Sequence, residues 1–311
     1  MKYLTYRDSA GNTRAGVLLD EGRVADLTLL LHSSAVIRDI GELLDNYENA
    51  DEAVRKALLL SEENNSAAVF EHGKKISLCA PILRPHTLRD FCAYEDHVKR
   101  CGKINGIGIP PKWYKVPLFF FQNTNNITGP DDVIYRKKNS VTLDYEAEIA
   151  FVIGKAGKDI SPDQALKHIF GFMIFNDWSD RDRCTFEVGF LGLHKGKDTA
   201  SGFGPYIVTV DELENNINAG KLNLKADAWV DDIHTTDSRT NDMHWTLAEC
   251  IAYASEDTWL YPGDILGLGT ISGGCIYEQT DKYPYLYDNA KVTVTVEKLG
   301  TLVQYVGQGE A

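Results

Sequence analysis

The sequence lacks the features that mark membrane-spanning, secreted and nucleic-acid-binding proteins. No apolar run approaches the roughly 20 residues that a membrane helix needs. The first residues show no apolar stretch followed by a small-residue cleavage site, which would mark a secretory signal. Acidic residues outnumber basic ones, and the formal net charge is −13. Nucleic acids and anionic membranes require a basic surface, so we expect a cytoplasmic protein that binds neither.

Paired cysteines are also missing from the sequence. The 311 residues include six cysteines, and no two of them form a Cys-x-x-Cys motif. A chain of this length can bury a sizeable core and does not need disulfide bonds for stability. We therefore expect reduced thiols at Cys79, Cys92, Cys101, Cys184, Cys250 and Cys275.

The N-terminal part predicts a small α+β domain. Residues 1–31 alternate apolar and polar side chains around a turn at Ser9–Asn12, which predicts a β-hairpin unit. Residues 38–62 have helical spacing, and Ser66–His72 has the composition of a strand. Residues 76–89 contain two prolines and are typical of a linker. We therefore predict one domain over residues 1–82 and a second over 83–311.

The second part predicts a mainly β domain within an α+β fold class. Short apolar runs alternate with glycine and proline turns, and helices are predicted only near 91–101, 162–168 and 246–256. Regular strand–helix alternation is absent, which disfavours a doubly wound parallel sheet. We expect a mixed β-roll or barrel-like domain.

Two glutamates mark the most informative strand. Glu146 and Glu148 stand at the start of an apolar run that ends at Gly154. Because alternate residues of a strand share one face, the two side chains are expected to point the same way. Two carboxylates about 7 Å apart repel each other unless a positive charge lies between them. A solvated polar face is the alternative, but the apolar neighbours on both sides indicate a buried strand. A hard cation with oxygen ligands would satisfy such a pair.

Four further segments carry candidate functional residues. The apolar run ending in Asn176-Asp177-Trp178 either builds a site at a strand end or forms a surface turn. Asp90 either binds a ligand or caps the next helix, on which His97 would then share its face. The glycine-rich stretches at 196–205 and 263–274 allow close backbone approach to a ligand, although tight turns also explain them.

Together and in this order, these five segments resemble the fumarylacetoacetate hydrolase family. The resemblance covers roughly residues 80–280. It rests on Asp90-Phe91 with His97, Asp144-x-Glu146-x-Glu148, Asn176-Asp177-Trp178-Ser179-x-Arg181-Asp182, Gly196-Lys197 and Gly269-Thr270-Ile271-Ser272-Gly273. It implies a mixed β-roll catalytic domain with a small N-terminal β domain, assembled as a homodimer.

The resemblance also implies a role for each matching residue. The metal ligands would be Asp90, Glu146, Glu148 and Asp177, holding Mg²⁺ or, alternatively, Mn²⁺ or Ca²⁺. His97 would be the general base, Lys197 the lysine beside the metal, and Arg181, Thr270 and Ser201 would face the substrate. The acid that orients His97 would be either Glu95 or Glu278. Substrate-contacting positions depart from the animal enzyme, since Cys92, Cys184 and Val188 replace polar side chains there.

The implied reaction is metal-dependent hydrolysis of a C–C bond in a small β-diketo acid such as an acylpyruvate. His97 would activate water, and the cation and Lys197 would stabilise the enolate that leaves. Decarboxylation of an oxaloacetate-like acid, isomerisation of an unsaturated dicarboxylate and dehydration are alternatives on the same scaffold. An inactive cation-binding paralogue is the non-enzymatic alternative. The glycine- and proline-rich segment 98–112 is either a lid over the substrate or an irregular surface loop.

Overall fold

The computed structural model describes residues 1–20, 22–64, 69–71, 76–136, 140–189 and 192–308. Strands dominate the described chain, and they are β1 Lys2–Arg7, β2 Thr13–Asp20, β3 Arg23–Asp26, β4 Val69–Glu71, β5 Ser77–Cys79, β6 Leu88–Phe91, β7 Phe119–Phe121, β8 Ile127–Thr128, β9 Val133–Tyr135, β10 Leu143–Asp144, β11 Ala147–Ile153, β12 Gly157–Lys158, β13 Ile169–Asp180, β14 Ala200–Thr209, β15 Ile217–Asn218, β16 Lys221–Leu222, β17 Lys225–Val230, β18 Ile233–Arg239, β19 Trp259–Leu260, β20 Ile265–Gly267, β21 Lys291–Val296 and β22 Gly300–Gly307.

The helices are short and lie between these strands. The α-helices are α1 Leu27–Leu30, α2 Ile40–Asn46, α3 Ala50–Asn64, α4 Glu95–Ile104, α5 Arg181–Glu187 and α6 Leu247–Ser255. Short 3₁₀ helices occupy Pro111–Tyr114, Ala165–His168, Val210–Asn216, Thr240–Asp242 and Tyr277–Gln279.

A large mixed sheet forms the body of the molecule. Its path runs β4-β3-β2-β1-β14-β13-β11-β20-β6-β7, and a second sheet has the order β18-β17-β21-β22-β9. The strands described here form no closed barrel, so the mixed, mainly β fold is confirmed in its open form. Strand β11 and the twelve-residue β13 are buried along their whole length, as the apolar runs predict.

The N-terminal hairpin extends the same sheet that carries the site. Strand β1 pairs antiparallel with β2 and, through Lys2 and Tyr3, with β14. Tyr3 packs in one apolar cluster with Met173 and Phe175 of β13. The division at residue 82 stays a prediction, because the N-terminal strands and the body share a sheet and a core.

Local predictions differ from the structure mainly at element boundaries. The helix predicted over 38–62 is two helices, α2 and α3, and the one predicted near 91 begins at Glu95. The 162–168 helix is a 3₁₀ turn at Ala165–His168. Of the strand predicted at Ser66–His72, the structure describes Val69–Glu71 as β4, and the rest lies outside the described residues.

Candidate functional site

Three buried carboxylates converge from three strands of the large sheet. Asp90 lies in β6, Glu148 in β11 and Asp177 in β13. One oxygen from each lies within 4.8 Å of the others, and all three residues are at most 2% exposed. The structure thus brings together three of the four metal ligands that the family resemblance implies.

The fold places Asp90 in a strand and not at a helix start. Strand β6 runs parallel to β20, and Asp90 lies opposite Gly267. Helix α4 begins later, with Tyr94 as its N-cap residue. The interpretation of Asp90 as a helix cap is therefore wrong, and so is the expectation that one helix face carries both Asp90 and His97.

Several oxygens of this cluster lack a protein donor. Asp90 Oδ1, Glu148 Oε2 and Asp177 Oδ1 are buried and have no hydrogen-bond partner among the residues described. Burial raises the pKa of Asp90 to about 7. Burial, together with the neighbouring acids, also raises the pKa of Glu148 well above its ordinary value. Carboxylate oxygens that are unpaired and buried in this way favour either protons or a cation.

Glu146 is the acid that the protein itself neutralises. Its Oε2 accepts a hydrogen bond from Lys197 Nζ, and its Oε1 lies 2.7 Å from Arg181 Nη1. Although burial opposes ionisation, Lys197 and Arg181 lower the pKa of Glu146 far below its ordinary value. Lys197 also lies 2.6 Å from Asp177 Oδ2 and donates to Ser179 Oγ at 2.8 Å. Lys197 therefore joins Glu146 to the three-carboxylate cluster.

Asp144 also lies in the site, although no role is predicted for it from the sequence. Its carboxylate accepts from Arg181 Nε at 2.8 Å and Arg181 Nη2 at 2.6 Å, and from the backbone N–H groups of Ile276 and Tyr277. Both Arg181 nitrogens donate to Asp144 Oδ2 while Nη1 contacts Glu146 Oε1, so the guanidinium is held between the two acids. The Asp-x-Glu-x-Glu spacing, which places all three acids on one face, was the signal for it.

The charge balance of the cluster fits a divalent cation. Among the described residues, Lys197 and Arg181 are the cationic side chains that form ion pairs with the buried acids of the site, which are Asp90, Asp144, Glu146, Glu148 and Asp177. If all ionise, three negative charges stay uncompensated. A cation such as Mg²⁺, Mn²⁺ or Ca²⁺ prefers an all-oxygen donor set like this one.

Thr270 and Ser201, which were predicted to face substrate, contact the carboxylates or their neighbours. Thr270 Oγ1 donates to Glu148 Oε1 at 3.2 Å. Ser201 Oγ donates to Gln122 Oε1 at 3.0 Å, and Gln122 Nε2 lies 3.3 Å from Asp90 Oδ2. Both hydroxyls are buried, so in this structure they help to position the acids.

Gln304, from the second sheet, supports the β13 end of the site. Its Oε1 accepts from Asn176 Nδ2 at 3.1 Å and Trp178 Nε1 at 2.9 Å, the two residues that flank Asp177. Its amide nitrogen donates to Thr128 and Gly129. Nothing local in the sequence indicates this role, because the partners are over 120 residues apart.

A histidine–glutamate pair lies next to the carboxylates. His97 Nδ1 is 2.6 Å from Glu278 Oε1, and the side chain of Glu278 is fully buried. The structure brings Glu278, and not Glu95, to the histidine. Glu95 instead accepts from Tyr114 at 2.6 Å and pairs with Lys99 at 2.8 Å on the outer side of α4.

The charge state of His97 depends on its neighbours. Burial opposes its protonation, but Cys101, Cys275 and Glu278 favour the imidazolium and raise the pKa of His97 well above its ordinary value. These neighbours therefore favour a protonated His97 beside the Glu278 carboxyl group.

A mainly apolar cavity of about 350 Å³ opens beside His97 and Arg181. Helix α4 and the segment after it supply one wall, and α5 supplies the other. The apolar lining residues include Val98, Ile107, Trp113, Leu118, Val188 and Leu193. Segment 98–112 thus forms the last turns of α4 and part of the cavity wall, and its closure as a lid stays a prediction.

Other expectations concern the whole chain. All six cysteines are free thiols. In the described part of the chain, no helix is long and apolar enough to span a bilayer.

Comparison with known proteins gives consistent matches. Residues 86–307 match the fumarylacetoacetate hydrolase C-terminal family. A Burkholderia lata protein named as a hydrolase is 31% identical over 88% of this chain and 87% of its own length. A mitochondrial oxaloacetate tautomerase of Xenopus laevis is 30% identical over 92% of this chain and 83% of its own. Because relatives include mitochondrial proteins, the cytoplasmic location stays a prediction. The homodimer also stays a prediction.

Solved structures share the fold over the whole chain. A maleylpyruvate hydrolase from Sphingobium sp. SYK-6, in complex with manganese(II) and pyruvate, has a TM-score of 0.75 at 22% identity, with 100% of both chains covered. A fumarylacetoacetate hydrolase from Exiguobacterium antarcticum has a TM-score of 0.74 at 24% identity, with 99% of both chains covered. The family match spans most of the chain and contains every residue of the carboxylate cluster, so this protein belongs to the fumarylacetoacetate hydrolase family.

Proposed function

We propose that this protein is a divalent-metal-dependent hydrolase that cleaves a C–C bond of an acylpyruvate-like β-diketo acid. The observation that carries the proposal is the His97–Glu278 pair at a cavity that Arg181 connects to the carboxylate cluster. The cation would be held by Asp90, Glu148 and Asp177, with Glu146 beside them. When bound, it would supply positive charge that polarises the keto oxygens, stabilises enolate charge and lowers the pKa of His97.

The side chains have distinct tasks in this reaction. Neutral His97, oriented by Glu278, takes a proton from water as the water oxygen adds to the acyl carbonyl carbon. The bond from that carbon to the neighbouring methylene carbon then breaks, and its electron pair stays on the methylene carbon. Returning the proton from His97 to this carbon gives pyruvate and a carboxylic acid. Lys197, buried and positively charged, favours the negative charge that develops on the keto acid.

The cavity indicates the class of acyl group. Among the described residues that line it, Arg181 is the one cationic side chain besides His97, and Asp144 and Glu146 already bind it. A second carboxylate on the substrate would find no unpaired cation among these residues. An apolar acyl group would bury its surface against Trp113, Leu118 and Val188, at about 25 cal/mol per Å². We therefore favour acylpyruvates with an apolar acyl group.

Tautomerisation of oxaloacetate is the second candidate. Relatives that are 30–31% identical are named as oxaloacetate tautomerases. A tautomerase moves a proton on the same kind of metal-chelating keto acid and breaks no C–C bond. The apolar cavity argues against it, because oxaloacetate carries a second carboxylate.

Steady-state assays with the two substrate classes test the proposal. Acylpyruvates and oxaloacetate are compared after metal removal and after addition of Mg²⁺ or Mn²⁺. We expect cation-dependent loss of the acylpyruvate diketone, with a kcat/KM above that for oxaloacetate tautomerisation. His97→Ala should lower turnover by about 10²–10⁴-fold while the protein still binds the cation.

Three outcomes would count against the proposal. Activity of His97→Ala within tenfold of the wild type would remove the base assignment. Tautomerisation of oxaloacetate with no cleavage of any acylpyruvate would favour the second candidate. The absence of both activities in metal-loaded protein would support the non-enzymatic alternative, a cation-binding paralogue.

A further inference from the structure

Behind the apolar cavity lies a second cluster of possible ligands, distinct in chemistry from the carboxylates. His97, Cys275 and Glu278 each offer a ligand atom within 4.8 Å of the others. Cys101, one helical turn after His97 on α4, places Sγ 3.8 Å from His97 Nδ1. The cluster therefore combines one imidazole, two thiols and one carboxylate.

This composition selects a different kind of ion from the carboxylate cluster. Thiolate and imidazole ligands suit Zn²⁺, whereas Mg²⁺ and Ca²⁺ prefer oxygen alone. A histidine and a cysteine four residues apart on one helix face the same side, as two ligands to one ion must. We propose that His97, Cys101, Cys275 and Glu278 form a site for a thiophilic divalent cation such as Zn²⁺, and that its occupation switches off the enzyme.

The distances are compatible with a tetrahedral ion after small movements. Cys275 Sγ lies 3.6 Å from Glu278 Oε1. Bond lengths of about 2.3 Å to sulfur and 2.0–2.2 Å to oxygen give a tetrahedral edge of about 3.5 Å. The hydrogen-bonded pair of His97 and Glu278, at 2.6 Å, would have to open by somewhat less than 1 Å. Cys101 would join by rotation about its Cα–Cβ bond.

Among the described residues, Glu278 Oε1 contacts His97 and Cys275, which are themselves proposed ligands, and the cavity provides a route to the cluster. The other oxygen, Oε2, accepts from the Gly273 N–H at 2.9 Å and lies 3.5 Å from Arg100 Nε. Cys101 and His97 line the cavity, so an ion can reach them from solvent. Cys275 is fully buried and does not line the cavity. Binding would release the two thiol protons to solvent, because the thiolate is the ligand.

Occupation would remove the base that the proposed reaction needs. A cation on His97 Nδ1 replaces the hydrogen bond between this nitrogen and Glu278. The imidazole is then no longer oriented by Glu278 to accept a proton from water. Zinc binding itself does not depend on the proposed hydrolysis, and only the inhibition rests on it. The two claims therefore need separate measurements.

Cobalt(II) separates the thiol cluster from the carboxylate cluster. The full chain, kept reduced with a phosphine and saturated with Mg²⁺, is titrated with Co²⁺, and the near-ultraviolet thiolate-to-cobalt charge-transfer band is recorded. Oxygen ligands alone do not give that band. We expect the band in wild type, its displacement by Zn²⁺, and its loss or strong reduction in Cys101→Ala and Cys275→Ala. The matched control, Cys79→Ala, removes a thiol of β5 and should retain the band.

Activity is measured on the same samples with Zn²⁺ added over saturating Mg²⁺. The inhibition of each variant is expressed relative to its own rate without Zn²⁺. Cys101→Ala and Cys275→Ala should each need at least about tenfold more Zn²⁺ than wild type for half-inhibition, because a weakened metal site typically loses about 10–100-fold in affinity. No charge-transfer band in wild type, or a full band in both variants, would overturn the zinc site while leaving hydrolysis intact. A thiol-dependent band in a protein without hydrolase activity would instead uphold the site and overturn the proposed function.

Discussion

Buried acids are the residues whose placement most constrains an account of this molecule. Asp90, Glu148 and Asp177 would each be costly as isolated ions inside a protein, and the side chains around them supply too few donors to satisfy them. Glu146 differs, because Lys197 and Arg181 neutralise it directly. The same cluster therefore contains one acid held ionised by the protein and three that favour protons until a cation replaces them.

At this scale we predict that Glu278→Gln changes the pH profile of hydrolysis. Glu278 is one of the groups that raise the pKa of His97, so its neutral replacement should lower that pKa. The acidic limb of kcat/KM should then move to lower pH, while the maximal rate falls by less than the ~10²–10⁴-fold expected on removing His97 itself. The measurement is a pH series of kcat/KM with saturating cation.

Glu95→Gln is the matched control for this prediction. Glu95 lies on the same helix as His97 but contacts Tyr114 and Lys99, so the acidic limb should stay where it is. If the acidic limb moves in Glu95→Gln and stays in place in Glu278→Gln, Glu95 and not Glu278 orients His97.

At the scale of elements, the site depends on a strand that contributes no side chain. Strand β20 lies between β6 and β11, and Gly267 faces Asp90 on one side and Ala150 on the other. A Cβ at Gly267 would lie 2.5 Å from Asp90 Oδ1 and 2.9 Å from the Phe175 ring. The missing side chain thus leaves the space through which Asp90 reaches Glu148 and Asp177.

Gly267→Ala should therefore weaken cation binding without changing any of the proposed ligands. The added methyl group displaces the Asp90 carboxylate or the Phe175 ring, and ligand displacement of this kind typically costs about 10–100-fold in affinity. Isothermal titration with Mn²⁺ measures it. Gly189→Ala, where a Cβ meets no atom within 4 Å, should bind as wild type does. Equal affinity in Gly267→Ala and wild type would contradict the role given to β20.

The difference between local patterns and long-range contacts explains which parts of the site could be predicted from the sequence. The acids of the Asp-x-Glu-x-Glu segment and Asp177 lie within local patterns, and alternation alone predicts that Glu146 and Glu148 share a face. Gly267 beside Asp90 and Glu278 beside His97 are contacts between segments about 180 residues apart, which only the completed sheet creates. Glu95, which is near His97 in sequence, was the alternative to Glu278 as the acid that orients His97, because local spacing does not show which side of α4 faces the cavity.

At the scale of the whole molecule, three regions of the chain meet at one sheet. The N-terminal hairpin adds strands to the edge formed by β14, while Gln304 of the second sheet supports the residues beside Asp177. The mainly β character follows from the density of short apolar runs. The continuity of the N-terminal strands with the body does not, because pairing partners such as Lys2 and Val208 are distant in sequence.

This arrangement predicts that a bound cation stabilises the entire fold. Mg²⁺ at 100 times its dissociation constant should add about 2.7 kcal/mol to the free energy of unfolding, and raise Tm by a few degrees. Glu148→Gln should lose that increment, because it removes a proposed ligand. Its cation-free Tm should equal or exceed that of the cation-free wild type, because the buried amide is neutral at every pH, whereas Glu148 is neutral only when it takes up a proton. Differential scanning calorimetry with and without Mg²⁺ measures the Tm of both proteins. An increase in Tm on Mg²⁺ addition that is as large in Glu148→Gln as in wild type would contradict the ligand assignment.

The fate of the water oxygen tests the central claim most directly. An acylpyruvate with an apolar acyl group is converted by the Mg²⁺-loaded protein in ¹⁸O-labelled water, and the products are analysed by mass spectrometry. C–C hydrolysis predicts one ¹⁸O atom in the carboxylic acid from the acyl side, together with an equal amount of pyruvate. Recovery of the intact substrate carbon skeleton, with label only in exchangeable keto groups, would contradict hydrolysis and leave proton transfer as the chemistry of this site.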